Sequence, residues 1–163
     1  MAKGLPREAL FPYLLDRVRD MVRFDDDRDL VLQTACDLLK TNVPHYDWVG
    51  FYLVNRDDAR ELVLGPFAGE PTEHVRIPFG RGICGQAAAR EETFVVQDVS
   101  KEPDYLSCSA MVRSEIVVPI FSARHGTRRI VGELDIDSHA LAAFTDEDRR
   151  FLEAVCEVVA SVF

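Results

Sequence analysis

The segment DWVGFYLV (47–54) constrains this chain most, because it reads as a strand with no outward face. Alternation puts Val49, Phe51 and Leu53 on one side and Trp48 and Tyr52 on the other. A strand apolar on both sides belongs to a sheet that is covered on both sides. The cover is found at the two ends of the chain. Pro6 to about Phe24 carries Leu10, Leu14, Leu15, Val18, Met21 and Val22 at helical spacing, with the proline in a tolerated first-turn position. The acids Asp25–Asp27 then open a second helix running to about Asn42. At the other end, Thr145 to Asp148 has the form of a capping box, and the helix it opens carries Phe151, Leu152, Val155, Val159 and Val162.

Between these helices the chain reads as strands at 47–54, 60–67, 74–79, 93–99, 114–123 and 128–138, with a brief helix in QAAAREE (86–92) and a loop over 101–113. Most strands are joined by hairpins, which predicts a mainly antiparallel sheet in an α+β fold. The long terminal helices cover one face. The short helix and the loops cover the other and leave a cavity there. The 163 residues form one domain: helices in 1–42, sheet and pocket in 47–138, and the C-terminal helix in 145–163.

Composition removes several classes of function. A net charge of −9 argues against nucleic-acid binding. No apolar run approaches the roughly 20 residues of a membrane span, and MAKGLPREALF lacks the form of a secretion signal. These readings lead to the expectation of a cytoplasmic protein. The four cysteines (36, 84, 108, 156) are then expected as thiols rather than a fixed disulfide framework. There is no C-x-x-C, and the histidines at 45, 74, 125 and 139 do not cluster with cysteines along the chain, so spacing indicates no zinc site. Cys36 and Cys156 fall on apolar helical stripes and read as small core residues.

The stretch FGRGICGQAAA (79–89) contains G-x-G-x-x-G, with Asp98 following. A dinucleotide-binding turn is nevertheless disfavoured. Pro78 interrupts the lead-in strand, the helix that follows is too short for a parallel crossover, and no strand–helix alternation continues. The glycines are read instead as a sharp turn presenting backbone N–H groups at a helix start, an arrangement suited to an anion such as a carboxylate. Cys84 sits near that helix N-terminus, where the dipole favours a thiolate.

Taken in order, VRIPFGRGICGQAAA, DVSKEPDYLSCSAMVRSEIVVPI, GELDIDS and FTDED resemble the GAF-fold free methionine-(R)-sulfoxide reductases from about Asp47 to the C-terminus. The resemblance implies a GAF-like fold and reduction of free L-methionine-(R)-S-oxide through a cysteine sulfenic acid and an intramolecular disulfide. No bound cofactor is implied, and an external dithiol such as thioredoxin restores the thiols. The attacking cysteine of the family falls on Cys108 and a second on Cys84. Substrate-holding carboxylates fall on Glu115, Asp135 and Asp137, and pocket aromatics on Trp48 and Tyr52. The chain departs from the family in two places. A third cysteine is replaced by His74, and the loop around the attacking thiol reads Tyr105-Leu106-Ser107-Cys108-Ser109. The resemblance also implies a homodimer through the terminal helices. The alternative reading is a GAF sensor that binds a small amphipathic ligand without chemistry.

The residues themselves suit that chemistry. Asp135 and Asp137 share a strand face, which Glu133 joins, and Trp48 and Tyr52 share another. Clustered carboxylates suit an ammonium group, a protonated one can donate to a sulfoxide oxygen, and an aromatic wall suits the methyl-sulfur end. Without the resemblance, Asp135 and Asp137 would pass for a solvated strand face, Trp48 and Tyr52 for core aromatics and His74 for a polar strand-end residue. Helix position favours Cys84 as the more acidic thiol; the resemblance favours Cys108 as the attacker.

Overall fold

Helices α1 (Arg7–Phe24) and α2 (Arg28–Asn42) open the chain and α4 (Asp146–Val159) closes it, in a computed structural model that describes residues 4–106, 109–122 and 124–163. Cys108 therefore lies outside the described residues, as does Ser107. Asp27 caps α2, its side chain accepting from Leu30 N at 3.1 Å. Thr145 caps α4 in the reciprocal arrangement expected of its sequence, with Asp148 as the return partner.

The strands are β1 (Trp48–Val54), β2 (Glu61–Ala68), β3 (Arg76–Pro78), β4 (Phe94–Val96), β5 (Ser114–Ser122) and β6 (Arg129–Ser138). They form one sheet in the order β3-β2-β1-β6-β5-β4, and every pairing is antiparallel. Helix α3 (Gly82–Arg90) follows β3. Two expected strands are shorter than their sequences suggested, and each is an edge strand. β3 stops at Pro78, which has no N–H for a ladder and is tolerated only at an edge. β4 stops where Gln97 turns to the chain before α4, its side chain donating to Phe144 O at 2.6 Å and its carbonyl accepting from Ala142 N at 2.9 Å. The short helix begins at Gly82, four residues ahead of its sequence estimate, because Gly80 (φ 90°) and Gly82 (φ 63°) reverse the chain within three residues.

The two faces of β1 divide as its alternation requires. Val49 and Phe51 pack with Leu14, Val18, Leu32, Leu39, Leu152 and Val155 in a core formed by α1, α2 and α4. Trp48 and Tyr52 pack with Ile77, Ile83, Cys84, Ala87 and Val117 beneath α3 and the loops. Cys36 and Cys156 are buried in the helix-side core, where burial holds both thiols far above the ordinary range. Among the described residues, no helix is long and apolar enough to cross a membrane.

Candidate active site

Strand register sets the positions of the polar groups on the face beneath α3. The three central strands pair in rows across that face: Trp48–Asp137–Glu115, Gly50–Asp135–Val117 and Tyr52–Glu133–Pro119. Four carboxylates therefore point away from the helix-side core while Leu134 and Ile136, the intervening residues of β6, enter it. Gly50 leaves the middle row open over Asp135. A Cβ there would sit 2.2 Å from the Trp48 ring, and one at Gly69 would sit 2.5 Å from it, so both positions are clear for the indole.

Tyr52, Cys84, Glu115 and Asp135 meet in one narrow cleft of about 10 Å³, shared with His74, Ile77, Arg81, Gly82, Ile83 and Leu106. The Cys84 Sγ lies 3.8 Å from Glu115 Oε1, and the ligating atoms of Cys84, Glu115 and Asp135 all fall within 4.8 Å of one another. The Tyr52 hydroxyl donates to His74 O at 2.8 Å and so ties the chain before β3 to the cleft wall. The other two expected site residues, Trp48 and Asp137, line a second cleft of about 120 Å³ with Asp47, Glu70, Ser109, Met111, Val112 and His139. There the Trp48 indole donates to Glu70 O at 2.9 Å and stacks on Phe67, with ring centroids 5.6 Å apart. Leu106 lines the first cleft and Ser109 the second.

The glycine turn differs from its sequence reading in the use of its amides. Gly80 N donates to Gly85 O, Arg81 N to Pro78 O and Gly85 N to Arg81 O. Gly82 N donates to Asp104 Oδ2 at 2.8 Å, and Arg81 pairs with the same carboxylate. These four N–H groups are engaged within the chain, and an internal carboxylate already occupies the first turn of α3. Asp104 stands 22 residues from Gly82, so no local spacing reveals it. Gly85 is required for another reason: a Cβ there would lie 2.5 Å from Pro78 O, where helix and strand backbones meet.

The electrostatics reverse the expectation that Cys84 is an acidic thiol. It lies in the first turn of α3, yet burial pushes its pKa well above the usual value, and the carboxylates of Asp135, Glu133 and Glu115 push it further in the same direction. A helix dipole acts weakly against three neighbouring acids in a water-poor site. Burial also raises Asp135 to about 6, against hydrogen bonding with Glu115 and Cys84. Glu133 is raised well above the carboxylate range, first by burial and then by Asp135, with the Cys84 thiol acting the other way. Glu133 is wholly buried, and among the described residues no nitrogen or oxygen donor reaches either of its oxygens; Asp135 Oδ1 is likewise without a partner. Alternation had placed Glu133 on this face. Its intimacy with Cys84 follows only from the packing of α3 on the sheet. The site therefore sets carboxyl groups of raised pKa beside a thiol of raised pKa, next to an aromatic wall.

Comparison with known proteins adds to this geometry. The GAF domain family matches residues 27–163. Protein YtsP of Bacillus subtilis is 37% identical over 94% of this chain and 90% of its own. The free methionine-R-sulfoxide reductase of Escherichia coli K12 is 43% identical over 74% of this chain and 68% of its own. Among solved structures, the free methionine-R-sulfoxide reductase of Neisseria meningitidis in complex with its substrate superposes with a TM-score of 0.89 at 40% identity, covering 99% of this chain and 92% of that one.

Proposed function

The chain belongs to the GAF domain family and is an oxidoreductase of the free methionine-R-sulfoxide reductase kind, and from this premise we propose that it reduces free L-methionine-(R)-S-oxide with Cys108 as the attacking thiol and Cys84 as the resolving one. The observation that carries the reading is the cleft that collects Cys84, Glu115, Asp135 and Tyr52 from four separate elements.

Glu115 and Asp137 hold the substrate ammonium as carboxylates, Asp135 completes the substrate-binding set in its protonated form, and Trp48 and Tyr52 form the wall against the methyl-sulfur end. The Cys108 thiolate attacks the sulfoxide sulfur. A carboxylic acid held protonated by burial, as Asp135 is up to about pH 6, donates to the departing oxygen. Oxygen passes to the cysteine, giving methionine and a sulfenic acid on Cys108. The Cys84 thiol condenses with it, forming the S–S bond and releasing water. An external dithiol of the thioredoxin type then reduces the disulfide and is itself oxidised. The elevated pKa of Cys84 fits this division of labour. A thiol kept protonated by burial and by three acids is a poor first nucleophile, but it stands ready to condense once a sulfenic acid forms on Cys108. A reductant of that type places the reaction in a reducing, cytoplasmic setting. The chain pairs with a second copy through its terminal helices, where Phe24 (80%) and Leu30 (53%) remain exposed, and sedimentation showing only monomer would remove the dimer.

The test separates enzyme from sensor. With resolved sulfoxide isomers and a dithiol, the protein forms methionine from the R isomer alone. Cys108→Ser abolishes turnover, whereas Cys84→Ser retains a single turnover and a trappable sulfenic acid on Cys108. A sulfenic acid on Cys84 would exchange the two roles. Measurable ligand affinity without isomer-selective methionine formation would establish the sensor reading instead.

A further inference from the structure

The geometry points to a binding site for one thiophilic divalent cation, of the Zn²⁺ type, formed by the Cys84 thiolate, Glu115 and Asp135. Their ligating atoms already lie within 4.8 Å of one another, and the Sγ–Oε1 separation of 3.8 Å is close to the edge of a tetrahedron with Zn–S of about 2.3 Å and Zn–O of about 2.0 Å. Small movements bring three ligands onto one ion, and the fourth position is left for water. The three side chains come from α3, β5 and β6, which are packed against each other, so little ordering remains to be done on binding.

A second observation concerns unmet bonding capacity. Asp135 is 1% exposed, lines the cleft and has one oxygen without a hydrogen-bond partner among the described residues. Directly associated with Cys84 is Glu133, wholly buried, with neither oxygen reached by a nitrogen or oxygen donor among the described residues. Neither Asp135 nor Glu133 forms an ion pair there. Buried carboxyl oxygens that no nitrogen or oxygen donor among the described residues reaches favour a cation, and a site with one sulfur and two carboxylates favours a borderline-soft ion over Mg²⁺ or Ca²⁺, which take six or more oxygens or retain their waters. Binding forms the metal–sulfur bond as the thiol proton leaves to solvent, with no change in oxidation state. Glu133 stands behind the thiolate as an outer carboxylate. An ion so held ties up the resolving thiol and two acids of the substrate-binding set, so it competes with substrate and protects Cys84 from oxidation.

The site goes beyond the reductase reading and is measured without substrate or reductant, so failure of either leaves the other standing. Metal-free, thiol-reduced full-length protein is titrated with Zn²⁺ against a chromophoric chelator, and separately with Co²⁺ while the absorption spectrum is followed. One equivalent of Zn²⁺ binds, Ca²⁺ and Mg²⁺ at the same concentration do not compete, and Co²⁺ develops a thiolate charge-transfer band. Cys84→Ser removes the band. Asp135→Asn and Cys84→Ser each weaken Zn²⁺ by at least about tenfold, and Cys108→Ser keeps both stoichiometry and band. Circular dichroism confirms that each variant is folded; should Cys84→Ser fail to fold, the wild-type cobalt spectrum together with Asp135→Asn decides. No stoichiometric Zn²⁺ on the wild-type protein, a cobalt band that survives Cys84→Ser, or a loss in Cys108→Ser as large as in Cys84→Ser would overturn the assignment.

Discussion

Asp148 and Asp135 are both buried carboxylates, and the fold treats them in opposite ways. Asp148, on the helix side, is surrounded by donors. Thr145 N (2.9 Å), Thr145 Oγ1 (2.7 Å), Tyr46 OH (2.8 Å) and Arg7 Nη2 (2.5 Å) donate to it, and His45 Nε2 lies 2.7 Å away. Burial by itself would raise its pKa, but hydrogen bonds from His45, Thr145 and Tyr46 outweigh that and lower it to about 2. Asp135, on the cleft side, has an oxygen that no donor among the described residues reaches, and it rises to about 6. The difference shows that burial alone does not set a carboxylate's state. The supply of donors does, and it separates a structural clamp joining α1 to α4 from a group available for proton transfer.

Removing each carboxylate tests that contrast most directly. Asp148→Ala destabilises the fold by about 3 kcal/mol, because Tyr46 and Arg7 lose their common acceptor at the start of α4. The figure stands at the lower end of the range for buried pairs because Arg7 is 42% exposed. Urea denaturation measures it. Asp135→Asn leaves the urea midpoint unchanged or raised and instead lowers kcat/KM for the sulfoxide about 100-fold, equivalent to about 2.7 kcal/mol. Equal destabilisation by the two substitutions would erase the distinction between clamp and proton donor.

Acid titration sharpens the same contrast. Asp148 has a folded pKa of about 2 against an ordinary value of 3.8. Its contribution of about 2 kcal/mol is complete above pH 3.8 and is lost as pH falls from there through 2. Unfolding free energies of the wild type should therefore decline across that window, and Asp148→Asn should decline less. The smallest expected effect is at Glu133. Replacing it with Met removes a buried acid that no nitrogen or oxygen donor among the described residues reaches and raises stability by about 1 kcal/mol, read as a shift in urea midpoint. A destabilisation there would mean that the cleft face, like the helix face, is held together by its acids.

Much of this was legible along the chain because it depends on short-range periodicity. The double-sided pattern of β1 called for a covered sheet, Thr145 and Asp148 announced the start of α4, and alternation along β6 put Glu133, Asp135 and Asp137 on one face. The edge strands were overestimated, since where a ladder ends depends on what the last residue meets elsewhere, as Gln97 meets Phe144. The amides of the glycine turn looked available because their internal acceptor, Asp104, enters from a distant loop.

By itself the sequence determined the elements, the division of each strand into two faces and the candidate residues on them, because these follow from the two-residue and 3.6-residue repeats of the backbone. Only the tertiary structure decided that α3 presses Cys84 against Glu115, Glu133 and Asp135, that Trp48 and Asp137 open onto a second cleft, and that a thiol at a helix start is more basic than usual. Those outcomes depend on burial and on charge over a few ångströms of space, and distance along the chain carries no measure of either.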